Sequence, residues 1–415
     1  MWDRRRLAFL GLLLSLIGLI TGWFFYADIR TQSRFANVQD LMRDGRLDEA
    51  TPLMSECLDA RPDSGEMMFW AARLARQKSD FAEAEWRLGL AKKLDWVPEA
   101  ISLERALIQT QRGQRGFESF LLQCVTKDHP DIIFILEVIT PVLYGDYLID
   151  QAFGCGKQWI KLQPDRIAAL LIYAKICERL GNPEESRDAL EAIIKQNEQH
   201  PEARQLLAQN LLAANMPTQA EPLLEALVRE RPLHRDSRFQ LVKCLRKLGR
   251  TDDARTILDA LVREFPKDSA ILTERGILEL EGEHPVEAEK WLRDAATNPP
   301  FEGVTLVQLI VCLERNEKRD EVAQRRAELQ QLEATLKRFR EVTKAISAAP
   351  RDVALRREAG QLLLRIHRDD DALRWLTSAL ELGPGDIETH QTLATYFEKS
   401  NPERAKFHRQ VAGQK

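Results

Sequence analysis

The chain has 415 residues, enough for two or three globular domains at roughly 150 residues each. With 44% hydrophobic and 30% charged residues but only 20 Gly and 18 Pro, it is not collagen, a long disordered chain or a turn-rich β fold. Six Cys are too sparse for a disulfide scaffold, and a net charge of -4 provides no overall field for nucleic acid or a polybasic membrane contact.

Residues 7–26, LAFLGLLLSLIGLITGWFFY, carry no charge. A helix of this length spans about 30 Å, the hydrocarbon thickness of a bilayer. Trp23, Phe24, Phe25 and Tyr26 stand at its far end, where amphipathic rings favour the headgroup level. A cleaved signal would have a shorter apolar core and small residues at the cut, whereas bulky aromatics occupy that place. The reading is a short cytoplasmic flank (1–6), a single transmembrane helix (7–26) and a body from 27 to 415. Arg4, Arg5 and Arg6 precede the span, while Arg30 and Arg34 beyond it are diluted by Asp28. The positive-inside rule then predicts a cytoplasmic N-terminus in a bacterial inner membrane and an exported body. A cytoplasmic-facing body is the alternative, and six unpaired thiols lean toward it.

The body repeats every 34 residues. Pro62, Pro130, Pro164, Pro232, Pro266 and Pro300 share one phase. Small residues share a second: Ala50, Ala84, Ala152, Ser186, Ala220, Ala254 and Ala288, broken only by Glu118. A third reads Val38, Ala72, Ala106, Thr140, Ala174, Ala208, Val242 and Gly276. Fixed periods of this size are the signature of stacked supersecondary units. The pattern predicts two antiparallel helices per repeat, with small residues where they touch and large ones such as Leu241, Leu245, Leu258 and Leu261 filling the space around them. Breakers such as Leu248-Gly249-Arg250 mark the turns.

The register breaks once, between Pro300 and Pro350. No Gly or Pro lies between Asp320 and Ala349, which predicts one long helix near 320–349. Its apolar stripe, Leu329, Leu332, Leu336, Phe339 and Ile346, either packs on adjacent repeats or forms a coil with a partner.

Units such as PEARQLLAQNLLAANMPTQAEPLLEALVRERP (201–232) and DVALRREAGQLLLRIHRDDDALRWLTSALELGP (352–384) resemble the tetratricopeptide repeat (TPR) family. Gly360, Ala372, Ala379 and Pro384 fall on the family's small-residue and proline positions. The units 99–132 and 133–166 match poorly, and no Trp stands at the family's Trp position. The resemblance implies an all-α TPR α-solenoid, a right-handed superhelix of about ten antiparallel helix pairs, preceded by the single transmembrane helix.

No catalytic constellation is present. His129, His200 and His284 each precede a proline and read as turn residues. The sequence has no H-E-x-x-H, C-x-x-C or G-x-S-x-G, so neither a metal site nor a cofactor is indicated. Gly154-Cys155-Gly156-Lys157 lacks the rest of a phosphate loop and falls within a helix.

What the resemblance implies instead is a binding face. The family's concave positions on the first helix of each pair map onto Phe35, Phe69, Arg73, Lys175, Phe239, Lys243, Arg246, Lys247, Arg357 and Arg365. That face is basic and partly aromatic, suited to protein or peptide partners, acidic extended segments among them. The Lys-and-Asn carboxylate clamp of chaperone-binding members is not matched. The expected function is a non-catalytic membrane-tethered scaffold. The alternative is an accessory subunit docking an enzyme of envelope or polysaccharide assembly.

Overall fold

The computed structural model describes residues 26, 28–114, 116–127, 129–300 and 302–413. The expected membrane span, 7–26, lies outside the described residues except for Tyr26, and so does the flank before it. Among the described residues no helix is long and apolar enough to cross a membrane.

Those residues form twenty-two helices and no strand. They fall into two units. The first comprises Met1–Val142 and Gln158–Arg166. It contains α1 (28–44), α2 (Leu47–Ala60), α3 (Gly65–Gln77), α4 (Phe81–Lys93), α5 (Pro98–Gln111) and α6 (Glu118–Thr126). The chain passes between the units within α7 (Ile132–Gly145) and α8 (Ile149–Leu162). The second unit, Leu143–Lys157 and Ile167–Lys415, holds the remaining pairs. These are α9 (Ile167–Leu180) with α10 (Pro183–Gln196), α11 (Pro201–Ala213) with α12 (Pro217–Glu230), and α13 (Arg235–Lys247) with α14 (Thr251–Glu264). They continue as α15 (Ser269–Glu281) with α16 (Pro285–Thr297), α17 (Gly303–Arg315) with α18 (Arg319–Ala348), α19 (Val353–Arg365) with α20 (Asp369–Leu382), and α21 (Ile387–Ser400) with α22 (Pro402–Val411).

The starts of the helices are written in their sequence. Asp80, Asp268, Asp352 and Asp386 each cap a helix by accepting a hydrogen bond from the backbone N–H three residues on. His200 and His234 do the same through Nδ1, at the heads of α11 and α13. Pro183, Pro201, Pro217, Pro285 and Pro402 occupy first-turn positions, where the missing N–H costs nothing.

The two small-residue series lie where helices touch. Ala50, Ala84, Ala152, Ser186, Ala220, Ala254 and Ala288 are all completely buried. So are Val38, Ala72, Thr140, Ala174, Ala208 and Val242. At Gly276 a Cβ would stand 2.5 Å from Leu292 Cγ, and at Gly360 2.6 Å from Leu376 Cγ. Glycine is required there because the next helix occupies the space of a methyl group.

The long helix α18 has 30 residues, about 45 Å at helical rise. Its first half packs on α17: Leu329 joins the cluster of Leu309, Leu313 and Val322, and Arg326 pairs with Glu314. Its second half carries α19, with Val342 and Ile346 buried and Arg338 paired to Glu358. Phe339 meets the edge of Trp375 at 6.3 Å. Of the two readings of the apolar stripe, the structure has it packed on adjacent helices.

Candidate protein-interaction surface

The ten expected binding residues separate into three groups. Phe35, Phe69 and Phe239 are core rings, each less than 10% exposed. Phe35 and Phe69 both stand edge-on to Trp70 at 6.4 Å, and Phe69 also lies 6.0 Å from Trp96. Large rings at these helix positions bury themselves between neighbouring pairs because burying apolar area outweighs display. Arg73 is likewise enclosed, with no exposed side-chain surface for a partner.

Arg73 belongs to a buried ion network in the first unit. Its Nε donates to Glu104 at 2.9 Å and its Nη1 to Asp131 at 2.8 Å. Arg76 donates to the other oxygen of Glu104, and both Arg76 and Glu104 are fully buried. The Arg73 guanidinium also lies 4.3 Å from the ring centre of Phe134 and 4.7 Å from those of Phe69 and Trp70. Burial disfavours the charged forms, but the facing charges win. Arg73 is held above its ordinary range by Glu104 and Asp131, and Glu104 below its range by Arg76 and Arg73.

A second group of cations is spent on neighbouring repeats: three on carboxylates of the next, and Lys247 on an amide of the preceding one. Lys175 pairs with Glu202 at 2.6 Å, and Arg246 with Glu274 at 2.6 Å and Glu281. Arg357 pairs with Asp386 at 2.7 Å and Glu388 at 2.9 Å. Lys247 donates to Asn215 at 3.0 Å. The expected basic face is therefore largely neutralised by carboxylates one repeat along. Sequence reasoning missed this because each carboxylate lies in the following unit, about one period downstream.

With Lys247, two further cations, Lys243 and Arg365, have no carboxylate partner among the described residues. Lys243 rests over Phe239, its Nζ 4.6 Å from the ring centre. Arg365, in the last turn of α19, opens onto a cleft of about 630 Å³. The cleft exists because of α18. With 30 residues α18 outruns the 13- and 14-residue helices around it by sixteen or more residues, about 24 Å at helical rise, and α17, α18 and the end of α19 all line the cleft. Leu306 on α17, Leu332 on α18 and Ile366 after α19 supply its apolar lining. Arg325 and Glu328 also line it and pair with each other at 2.7 Å. Glu302, heading α17, lines it without a side-chain partner among the described residues. The long helix and the resumption of the repeat after Pro350 were legible in the sequence; the gap beside the helix was not, because it depends on how α19 packs against α17 and α18, which no single unit encodes.

No group of three or more His, Cys, Asp or Glu among the described residues could hold a metal ion. The six cysteines are free. Burial pushes the Cys155, Cys177, Cys244 and Cys312 thiols up to about 11. Such thiols are inert at neutral pH, so their lack of pairing says nothing about compartment.

Comparison with known proteins agrees with the repeat reading. Residues 35–92, 167–210 and 211–273 each match a family described as tetratricopeptide repeat. The chain thus carries tetratricopeptide repeats on an all-α, solenoid-like fold. No curated protein matches it. Similar solved structures include YrrB, described as a TPR protein with an unusual peptide-binding site, at 18% identity over 45% of this chain and 95% of that one, TM-score 0.38. A tetratricopeptide repeat protein from Parabacteroides merdae is 14% identical over 68% of this chain and 98% of that one, TM-score 0.37. A human IFIT1 dimer with m7Gppp-AAAA is 15% identical over 84% and 89%, TM-score 0.40.

Proposed function

We infer that this protein is a non-catalytic, membrane-tethered scaffold whose repeats hold a partner polypeptide. Proteins built of tetratricopeptide repeats are generally interaction scaffolds, and the three matched stretches support that class here. The observation that carries the reading is the open cleft beside α18, with an apolar lining and unpaired charges at its walls. Elsewhere most of the cations on the first helices are already committed to carboxylates of the next repeat. The tether is the uncharged stretch 7–26 behind Arg4, Arg5 and Arg6. Those arginines favour a cytoplasmic N-terminus in a bacterial cell membrane and an exported repeat array.

The test is affinity purification of the full chain from detergent-solubilised membranes. A protein recovered in stoichiometric amount, and lost when the cleft is filled by Thr335→Trp, supports the reading. Recovery of the chain alone, from membranes and from the soluble fraction, removes it.

A further inference from the structure

The cleft beside α18 also specifies what it holds. We propose that it binds a short segment of a partner protein whose aliphatic side chains are flanked by one acidic and one basic residue. This rests on the scaffold reading and adds the chemistry of the ligand.

The argument starts from the lining. Leu306, Leu332 and Ile366 present hydrocarbon to a space of about 630 Å³, large enough for two or three aliphatic side chains. Leu332 is only 7% exposed, so this surface belongs to a formed wall.

The charges set the rest. Arg325 and Glu328 neutralise each other within the lining. Two opposite charges remain, Arg365 on the α19 wall and Glu302 on the α17 wall. Neither has an ion-pair or side-chain hydrogen-bond partner among the described residues. A ligand with a carboxylate for Arg365 and a cation for Glu302 satisfies both, whereas a ligand of one sign is repelled by one wall.

Three labelled decapeptides with a Leu-Leu centre in a Gly/Ser frame make the test. One flanks the centre with Glu on one side and Lys on the other, one with two Glu, one with two Lys. Fluorescence anisotropy with the full chain in detergent reads binding. The mixed peptide should bind about tenfold more tightly than either single-sign peptide. Arg365→Glu should move the preference to the two-Lys peptide and Glu302→Lys to the two-Glu peptide. Thr335→Trp should weaken all three. Helical content and melting temperature of each variant distinguish lost binding from lost folding. If the order of the peptides is unchanged by the two reversals, if Thr335→Trp binds like the parent, or if no peptide binds, the proposal fails. A partner still recovered by purification would then leave the scaffold reading in place.

Discussion

The ring of Tyr147 lies against that of Trp375, centre to centre 4.5 Å and tilted by 31°. Tyr147 sits in the turn between α7 and α8, and Trp375 in α20, far along the same unit. Repeat arrays normally place each unit in contact with its neighbours alone. This contact joins elements several pairs apart. The turn that presents Tyr147 holds it at φ 61°, a left-handed conformation uncommon for a side chain of this size. Arg179 completes the arrangement, its guanidinium 4.5 Å from the Tyr147 ring centre and 4.2 Å from that of Tyr144. Tyr147→Ala should remove an aromatic pair worth about 0.5–1.5 kcal/mol beyond its buried area. Hydrogen exchange should then accelerate in α20 while α13 and α14 stay unchanged. Equal protection of α20 in parent and variant would make the contact incidental.

The glycines at helix crossings predict overpacking. Gly276→Ala and Gly360→Ala each force a methyl group toward a leucine on the following helix. Each should cost roughly 1–3 kcal/mol. Ala254→Leu, at a completely buried crossing, should fall in the same range. Chemical denaturation of the three variants checks this, and an unchanged midpoint for Gly360→Ala would contradict the crossing geometry.

The buried network around Glu104 should be sensitive to the loss of one member. Glu104→Gln leaves Arg73 and Arg76 enclosed with one carboxylate fewer. The expected cost is about 3–5 kcal/mol. Because the group is shielded from solvent, added salt should change that cost little. A strongly salt-dependent effect on the melting temperature would place the network at the surface.

Two groups give the stability a pH dependence of known sign. Burial works to raise Glu289, but hydrogen bonds from Lys318, Arg293 and Asn316 outweigh it and bring the carboxyl down to about 2. Its contribution is full above the ordinary carboxylate value, near ~4.3, and is lost as pH falls toward about 2. His408 is held below its ordinary value by burial, by His390 and by Arg404. Its ring nitrogen Nδ1 lies 2.8 Å from that of His390. The folded state favours neutral His408, so stability is complete above about pH 6.5 and falls as pH drops below it. Melting temperatures measured from pH 8 to pH 2 should decline in an upper and a lower range. His408→Gln should shrink the upper decline and Glu289→Gln the lower.

Membrane placement is open to a direct measurement. An alkaline phosphatase fused after Lys415 should be active in a bacterial host, because that enzyme needs the oxidising side. Activity from a cytoplasmic reporter at the same point would reverse the orientation, leaving the scaffold reading untouched.

The helices were legible in the sequence because their determinants are local: the recurring prolines, the Gly breakers at turns and the spacing of small residues. Ala254 and Ala288 could be placed at crossings from periodicity alone, and both are completely buried. The binding face was less legible. Whether Arg246 greets a partner or Glu274 depends on how one repeat rotates against the next, which no single unit encodes. Phe69 and Arg73 were expected on the face by the same logic. Trp70, Trp96 and Phe134 instead close around them.

The length of α18 bears on how the array comes apart. In an ordinary array each unit is braced by the one before it, and loss of order spreads step by step like falling dominoes. Here Leu329 braces α17 from the first half of α18, while Val342 and Ile346 lie buried in the second half, beside α19. One rod thus serves as the brace for two successive steps. Order lost anywhere along it reaches both sides together, and order kept along it stops the spread.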